Sequence, residues 1–147
     1  MQRREFVAFL TGAALAGPRT AFAQSSKVYR LGTLTANAPI SEKSPPGKVL
    51  LQVLEQRGYT LGKNLVLDAR STAGQVSKLP EVVRAMKADK VDVFVTTGFP
   101  ATLACKVENV PTVVAIGAGD PVATHLIEGL ARPGGNITGI SDNSTTL

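Results

Sequence analysis

Thr96, Thr97 and Gly98 stand together at the end of one apolar run, and Gly119, Asp120 and Pro121 stand at the end of the next. Threonine hydroxyls can donate hydrogen bonds to a carboxylate. An aspartate between glycine and proline can accept from an ammonium or a hydroxyl, and it can equally cap the helix that follows it. Pro100 suits the first turn of a helix, where its missing N–H does no harm. The nearest free amides, Ala101 and Thr102, would then sit at the positive end of that helix. Thr97, Gly98, Ala101 and Asp120 are therefore the candidate binding residues, with a plain strand-to-helix connection and a plain helix cap as the alternatives. Such a set can hold a small polar molecule. It contains no nucleophile with an adjacent base and no paired carboxylates for acid–base work.

Other chemistry-bearing residues lead nowhere further. His125 is the only histidine, with no Cys, Asp or Glu at ligand spacing, so no metal site is expected. Cys105 is the only cysteine and lies among Leu103, Ala104 and Val107, where a small buried hydrophobe is expected. Arg132-Pro133-Gly134-Gly135-Asn136 stops a helix and is not followed by the G-K-[ST] of a phosphate loop. No cofactor motif is present.

The elements that must position these residues follow from hydrophobic periodicity. Strands are expected over residues 27–35, 65–69, 91–95, 112–116 and 137–140. Helices are expected over 49–57, 79–88, 100–107 and about 122–130, the last started by Asp120 as cap and Pro121 at the first position. Near-continuous β-branched runs indicate strands covered on both faces. Strand and helix alternate, so right-handed crossovers give an α/β, three-layer sandwich around a mostly parallel five-stranded sheet. Ligands of such sheets bind beyond the carboxyl ends of the strands.

The 147-residue chain is within the range of one domain. Its first part reads as an export signal: Arg3-Arg4 precede an apolar run over 6–17, and Ala21-Phe22-Ala23 offers a small-x-small cleavage site before Gln24. The run is shorter than the roughly 20 residues a spanning helix needs. Arg-Arg-x-Phe resembles a twin-arginine signal, with ordinary secretory export as the alternative. Cleavage removes three arginines and one glutamate, so the net charge falls from +5 to +3. Lys and Arg are scattered singly, without the basic run or interleaved aromatics of a nucleic-acid surface. Residues 1–23 are thus expected to be a signal peptide and 24–147 the folded, periplasmic part.

Four stretches carry a family resemblance: Arg3-Arg4-Glu5-Phe6, LEQRGYTLGKNLVLDAR (54–70), VDVFVTTGFPATLA (91–104) and DPVATHLIEGLARPGGNITGIS (120–141). The chain resembles the tryptophan/tyrosine-type ABC transporter substrate-binding proteins, which are periplasmic binding proteins of the type I fold. The resemblance implies a binding protein rather than an enzyme. It implies two α/β lobes closing about a hinge on a small organic solute, such as an aromatic or other amino acid, for delivery to an inner-membrane ABC permease. Family chains are about twice as long, so residues 24–147 correspond to an N-terminal lobe with the second lobe missing. The sequence departs from the family at Lys48-Val49-Leu50-Leu51 and at His125. A periplasmic sensor domain of a signalling system is the alternative reading.

Overall fold

A computed structural model describes residues 27–141; the predicted signal lies outside them. Five strands, β1 (Tyr29–Thr35), β2 (Leu65–Ser71), β3 (Val93–Thr97), β4 (Thr112–Ile116) and β5 (Ile137–Gly139), form one sheet in the order β2-β1-β3-β4-β5. Every neighbouring pair is parallel. Three helices connect them: α1 (Pro45–Gln56), α2 (Leu79–Ala88) and α3 (Phe99–Val107). From β1 the chain steps one way to β2, then turns back across β1 to β3, β4 and β5. With right-handed crossovers, α1 lies on one face of the sheet and α2 and α3 lie on the other.

The main core sits on the α2–α3 face. Leu34 and Phe94 point from β1 and β3 into Leu79, Val83 and Met86 of α2 and Ala101, Ala104 and Cys105 of α3. Gly32 lets α2 approach β1, since a Cβ there would lie 2.6 Å from Met86 Cε. Arg84 and Lys87 tie α2 to the end of α3, reaching the Glu108 carboxylate at 3.0 Å and its carbonyl at 2.8 Å. At the sheet edge, Arg70 of β2 bonds both oxygens of Asp68, at 2.9 and 2.8 Å, and also Asp89 after α2. A charged cluster of this kind discourages a further strand from pairing there.

α1 begins earlier than its hydrophobic pattern shows. Ser44 Oγ accepts from Gly47 N at 3.2 Å, and the two prolines occupy the first turn, where they cost no hydrogen bond. A Cβ on Gly47 would sit 1.8 Å from Ser41 O, so the chain needs glycine for this sharp entry. The helix is closed by Gly58. Gly58 N donates to Glu55 O and Tyr59 N to Leu54 O, a Schellman closure with Gly58 at φ +89.

The expected helix over 122–130 does not form. Asp120 caps as expected, with Oδ1 accepting from Val122 N at 2.9 Å and Ala123 N at 3.0 Å. After one turn His125 adopts φ +55, and the amides of Leu126 and Ile127 both return to Pro121 O. Lys106 Nζ donates to His125 O, holding the break in place. Val122, Thr124 and Gly129 are poor helix formers, and a nine-residue helix needs a buried face. Here Leu126 is the main anchor, packed with Val114, Ala118 and Ile137 in a second, smaller core.

Cys105 is fully buried, and desolvation pushes its thiol up to about 12 from 9.0. The native state therefore holds this proton more tightly than the unfolded chain does. Stability from this group is intact below pH 9 and falls by about 1.4 kcal/mol per pH unit above it. Urea unfolding between pH 8 and 11 should show this extra slope in the wild type and not in Cys105→Ala; equal slopes would refute it.

Candidate functional site

β1 leads into α1 on one face and β3 leads into α3 on the other, so the sheet's switch point lies between these two strands. A crevice of about 370 Å³ opens there, at the carboxyl ends. It is lined by Thr35, Ala36, Asn37, Ala38, Val76, Thr97, Gly98 and Pro100.

The β3 side is built around Gly98. Its φ of +80 turns the chain from strand to helix at an angle that L side chains rarely adopt. Gly98 N donates to Ile116 O at 2.8 Å, and Gly98 O accepts from Thr102 Oγ1 at 2.9 Å. Alternation then separates the two threonines before it. Thr96 points into the core and its hydroxyl pairs with Thr102 Oγ1 at 2.9 Å, whereas Thr97 is half-buried and lines the crevice. Among the described residues, the amides of Phe99 and Ala101 in the first turn of α3 find no acceptor.

The β1 side is a loop held from within. Thr33 Oγ1 donates to Ile40 O at 2.7 Å and Thr35 Oγ1 to Ala38 O at 2.6 Å. Thr72 Oγ1 and Gly74 N both donate to Ala36 O, at 3.2 and 2.7 Å. The carbonyls of Ala36, Ala38 and Ile40 are thus taken up by the protein. Among the described residues, neither the amide nor the side chain of Asn37 makes a hydrogen bond. The crevice therefore offers Asn37 and the Thr97 hydroxyl, on a wall fixed before any ligand arrives.

Of the four residues singled out from the sequence, Thr97 and Gly98 line this crevice directly. Ala101 has no exposed surface, belongs to the main core and does not line the crevice. Asp120 is exposed on the loop beyond β4 and does not line the crevice. Its Oδ1 is occupied by the two cap bonds, while Oδ2 has no partner among the described residues. Asn37 and the loop around it are absent from the sequence-derived set. The available signal was positional, since Ala36-Asn37 follow β1 as Gly98 follows β3. No charged side chain lines the crevice, and no group of His, Cys, Asp and Glu among the described residues could hold a metal ion.

Comparison with known proteins gives consistent matches. The family model described as ABC transporter substrate binding protein matches residues 47–146. A curated tyrosine-binding protein of Clostridioides difficile is 26% identical over 106 residues, which is 71% of this chain and 30% of that protein. Three solved structures share the fold. A ligand-free, open substrate binding protein with adhesive properties from Clostridium difficile has a TM-score of 0.67 at 22% identity, over 78% of this chain and 39% of its own. A conserved domain protein from Vibrio cholerae has a TM-score of 0.66 at 28% identity, over 79% and 39%. An ABC domain from Streptococcus pneumoniae in complex with L-Trp has a TM-score of 0.64 at 24% identity, again over 79% and 39%. The chain thus spans under two fifths of the length of each of these proteins.

Proposed function

Because the chain belongs to the ABC transporter substrate-binding protein family, we propose that it binds a small, amino-acid-like solute in the crevice between β1 and β3. The observation that carries this is the pairing of unbonded donors at the switch point with the absence of any charged lining residue. Donors without a general acid, base or nucleophile bind a carboxylate and do not transform it. The ligand carboxylate goes to the Thr97 hydroxyl, at the positive end of α3. Its ammonium goes to Asp120 Oδ2, the unpaired carboxylate oxygen beyond β4. The tyrosine-binding relative and the L-Trp complex favour an aromatic amino acid. The chain acts as one lobe of the solute-binding component of an uptake system and presents its ligand to an ABC permease.

Chemical-shift mapping with a panel of aromatic and aliphatic amino acids tests the site. Shifts are expected at Asn37, Thr97, Gly98, Ala101 and Asp120. Shifts confined to the opposite, amino-terminal end of the strands would overturn the assignment.

Family proteins are typically extracellular or periplasmic, and no helix among the described residues is long and apolar enough to cross a membrane. We assign this chain to the periplasm, with residues 1–23 removed. Intact mass of periplasmic material should correspond to a chain starting at Gln24, and export should fall when Arg3 and Arg4 are both replaced by Lys. Retention of residues 1–23 would refute the cleavage, and unaffected export would leave the ordinary secretory route.

A further inference from the structure

The sheet ladder alone fixes Thr97 poorly. β1 pairs with β3 only as far as Thr96, which lies opposite Leu34. On the other side the register slips just before Thr97. Thr96 faces Val114 and Thr97 faces Ile116, which leaves Ala115 without a partner on β3. A slip of this kind re-aims the side chains beside it. Gly98 follows at φ +80 and ψ 154, a region open essentially to glycine alone. Glycine carries little conformational preference of its own, so its bonding partners must set the direction of its carbonyl.

Two buried hydroxyls do this from the core side. Gly98 O accepts twice from Thr102, from the amide at 3.3 Å and from Oγ1 at 2.9 Å. The first is a helical bond, and the second is a back-bond that threonine makes one turn on. The addition here is Thr96 Oγ1, 2.9 Å from that same hydroxyl. Neither side chain has exposed surface, and Thr96 Oγ1 has no other partner among the described residues. Counting protons fixes the direction. A hydroxyl has one proton to donate and a carbonyl has none. Thr102 gives its proton to Gly98 O, so Thr96 is the donor to Thr102. The chain runs from Thr96 O–H through Thr102 O–H to Gly98 C=O, each bond polarising the next. It starts on the residue before Thr97 and ends on the residue after it.

We propose that Thr96 and Thr102 are positioning residues for ligand binding, which clamp the backbone on both sides of Thr97 and so aim its hydroxyl into the crevice. This rests on the reading that Thr97 receives the ligand carboxylate. Neither positioning hydroxyl meets the ligand, since both are sealed between β3 and α3 and neither lines the crevice. Two valines would occupy nearly the same space, and exchanging both partners of a buried hydrogen bond for apolar groups is close to neutral for stability. The pair therefore contributes geometry more than stability. A merely structural pair would behave the other way, with stability lost on its removal and binding kept.

Replacing Thr96 and Thr102 together by Val removes both hydroxyls and leaves no buried donor unpaired, so the urea midpoint should stay near wild type. Backbone ¹⁵N relaxation of the ligand-free protein gives the first readout. Order parameters at Thr97 and Gly98 should fall from about 0.85 toward about 0.6, with those of Phe94 and Val95 unchanged. Titration with L-tryptophan and L-tyrosine, followed by chemical shift at Asn37 and Gly98, gives the second. The dissociation constant should rise about three- to tenfold, and no more than in Thr97→Val, because misplacing a hydroxyl costs no more than deleting it. Thr102→Ser keeps the chain of hydroxyls and should bind as the wild type does. Unchanged order parameters in the double-valine variant overturn the proposal whatever the ligand result. Binding by that variant equal to wild type, or Thr102→Ser binding as weakly as the double-valine variant, would do the same. If the wild type itself fails to bind, the proposed function falls, and the clamp on Thr97 stands or falls by the order parameters.

Discussion

Phe94→Ala is expected to lower folding stability by about 3–5 kcal/mol. Phe94 lies in the central strand β3, with no exposed surface, between Gly32 of β1 and Thr112 of β4. Its ring is the largest side chain in the main core and the point where α2 and α3 meet the sheet. The neighbours cannot close the resulting cavity. α2 and α3 are tied together through Glu108, and α3 is fixed to β3 through Thr102 and Gly98. Domains of this size have about 5–15 kcal/mol in total, so a large part of the margin disappears. Urea midpoints should fall with the slope unchanged. Val107→Ala, on the same helix bundle but 71% exposed, should stay within about 0.5 kcal/mol of wild type. The Cys105 thiol supplies a second readout, since it reacts only when this core opens. A loss below about 1 kcal/mol for Phe94→Ala would show that the two helices are not held by this ring.

What the sequence made legible was whatever depends on local pattern. α2 and β4 fall on the residues their periodicity indicates, because each has its apolar positions facing a real core. The parallel five-stranded sheet followed from the alternation of strand and helix. The segment after Asp120 failed for a tertiary reason. Its start signals are genuine and produce one capped turn, but propagation needed a face to bury, and His125 takes a left-handed turn instead. The start of α1 failed because Ser44-Pro45-Pro46-Gly47 resembles loop composition, and only the approach of Gly47 to Ser41 O shows why these residues open a helix.

The candidate site shows the same division. Thr97 and Gly98 were legible as strand-end residues. The different fates of Thr96 and Thr97 depend on strand alternation and on which face α3 covers. Asn37 depends on strand order. Its loop borders Thr97 only because β1 and β3 are neighbours, with β2 displaced to the edge. Nothing in the spacing of residues 35 and 97 announces that adjacency.

Ligand binding by this chain alone is expected to be no tighter than millimolar. A two-lobed receptor holds its ligand from both sides and closes about a hinge. If such a receptor binds at about micromolar, the interaction is worth roughly −8 kcal/mol. The crevice supplies one wall, with Asn37 and Thr97. Half of the contacts would leave about −4 kcal/mol, a millimolar dissociation constant. The entropy of association is lost in full whichever contacts remain, which makes millimolar the tight limit. Two substitutions divide the residual interaction. Thr97→Val removes the hydroxyl proposed for the carboxylate, and Asp120→Asn removes the charge proposed for the ammonium while an amide oxygen can still accept the cap bonds. Each should weaken binding by about 1–3 kcal/mol, the cost of a hydrogen bond to a charged group. Their effects should differ by ligand. Asp120→Asn should lose its effect on a des-amino acid, whereas Thr97→Val should retain it. Titrations followed by chemical shift measure all four combinations. Sub-micromolar binding by the single chain would sink the one-wall reading, and equal loss of both ligands with Asp120→Asn would remove Asp120 from the site.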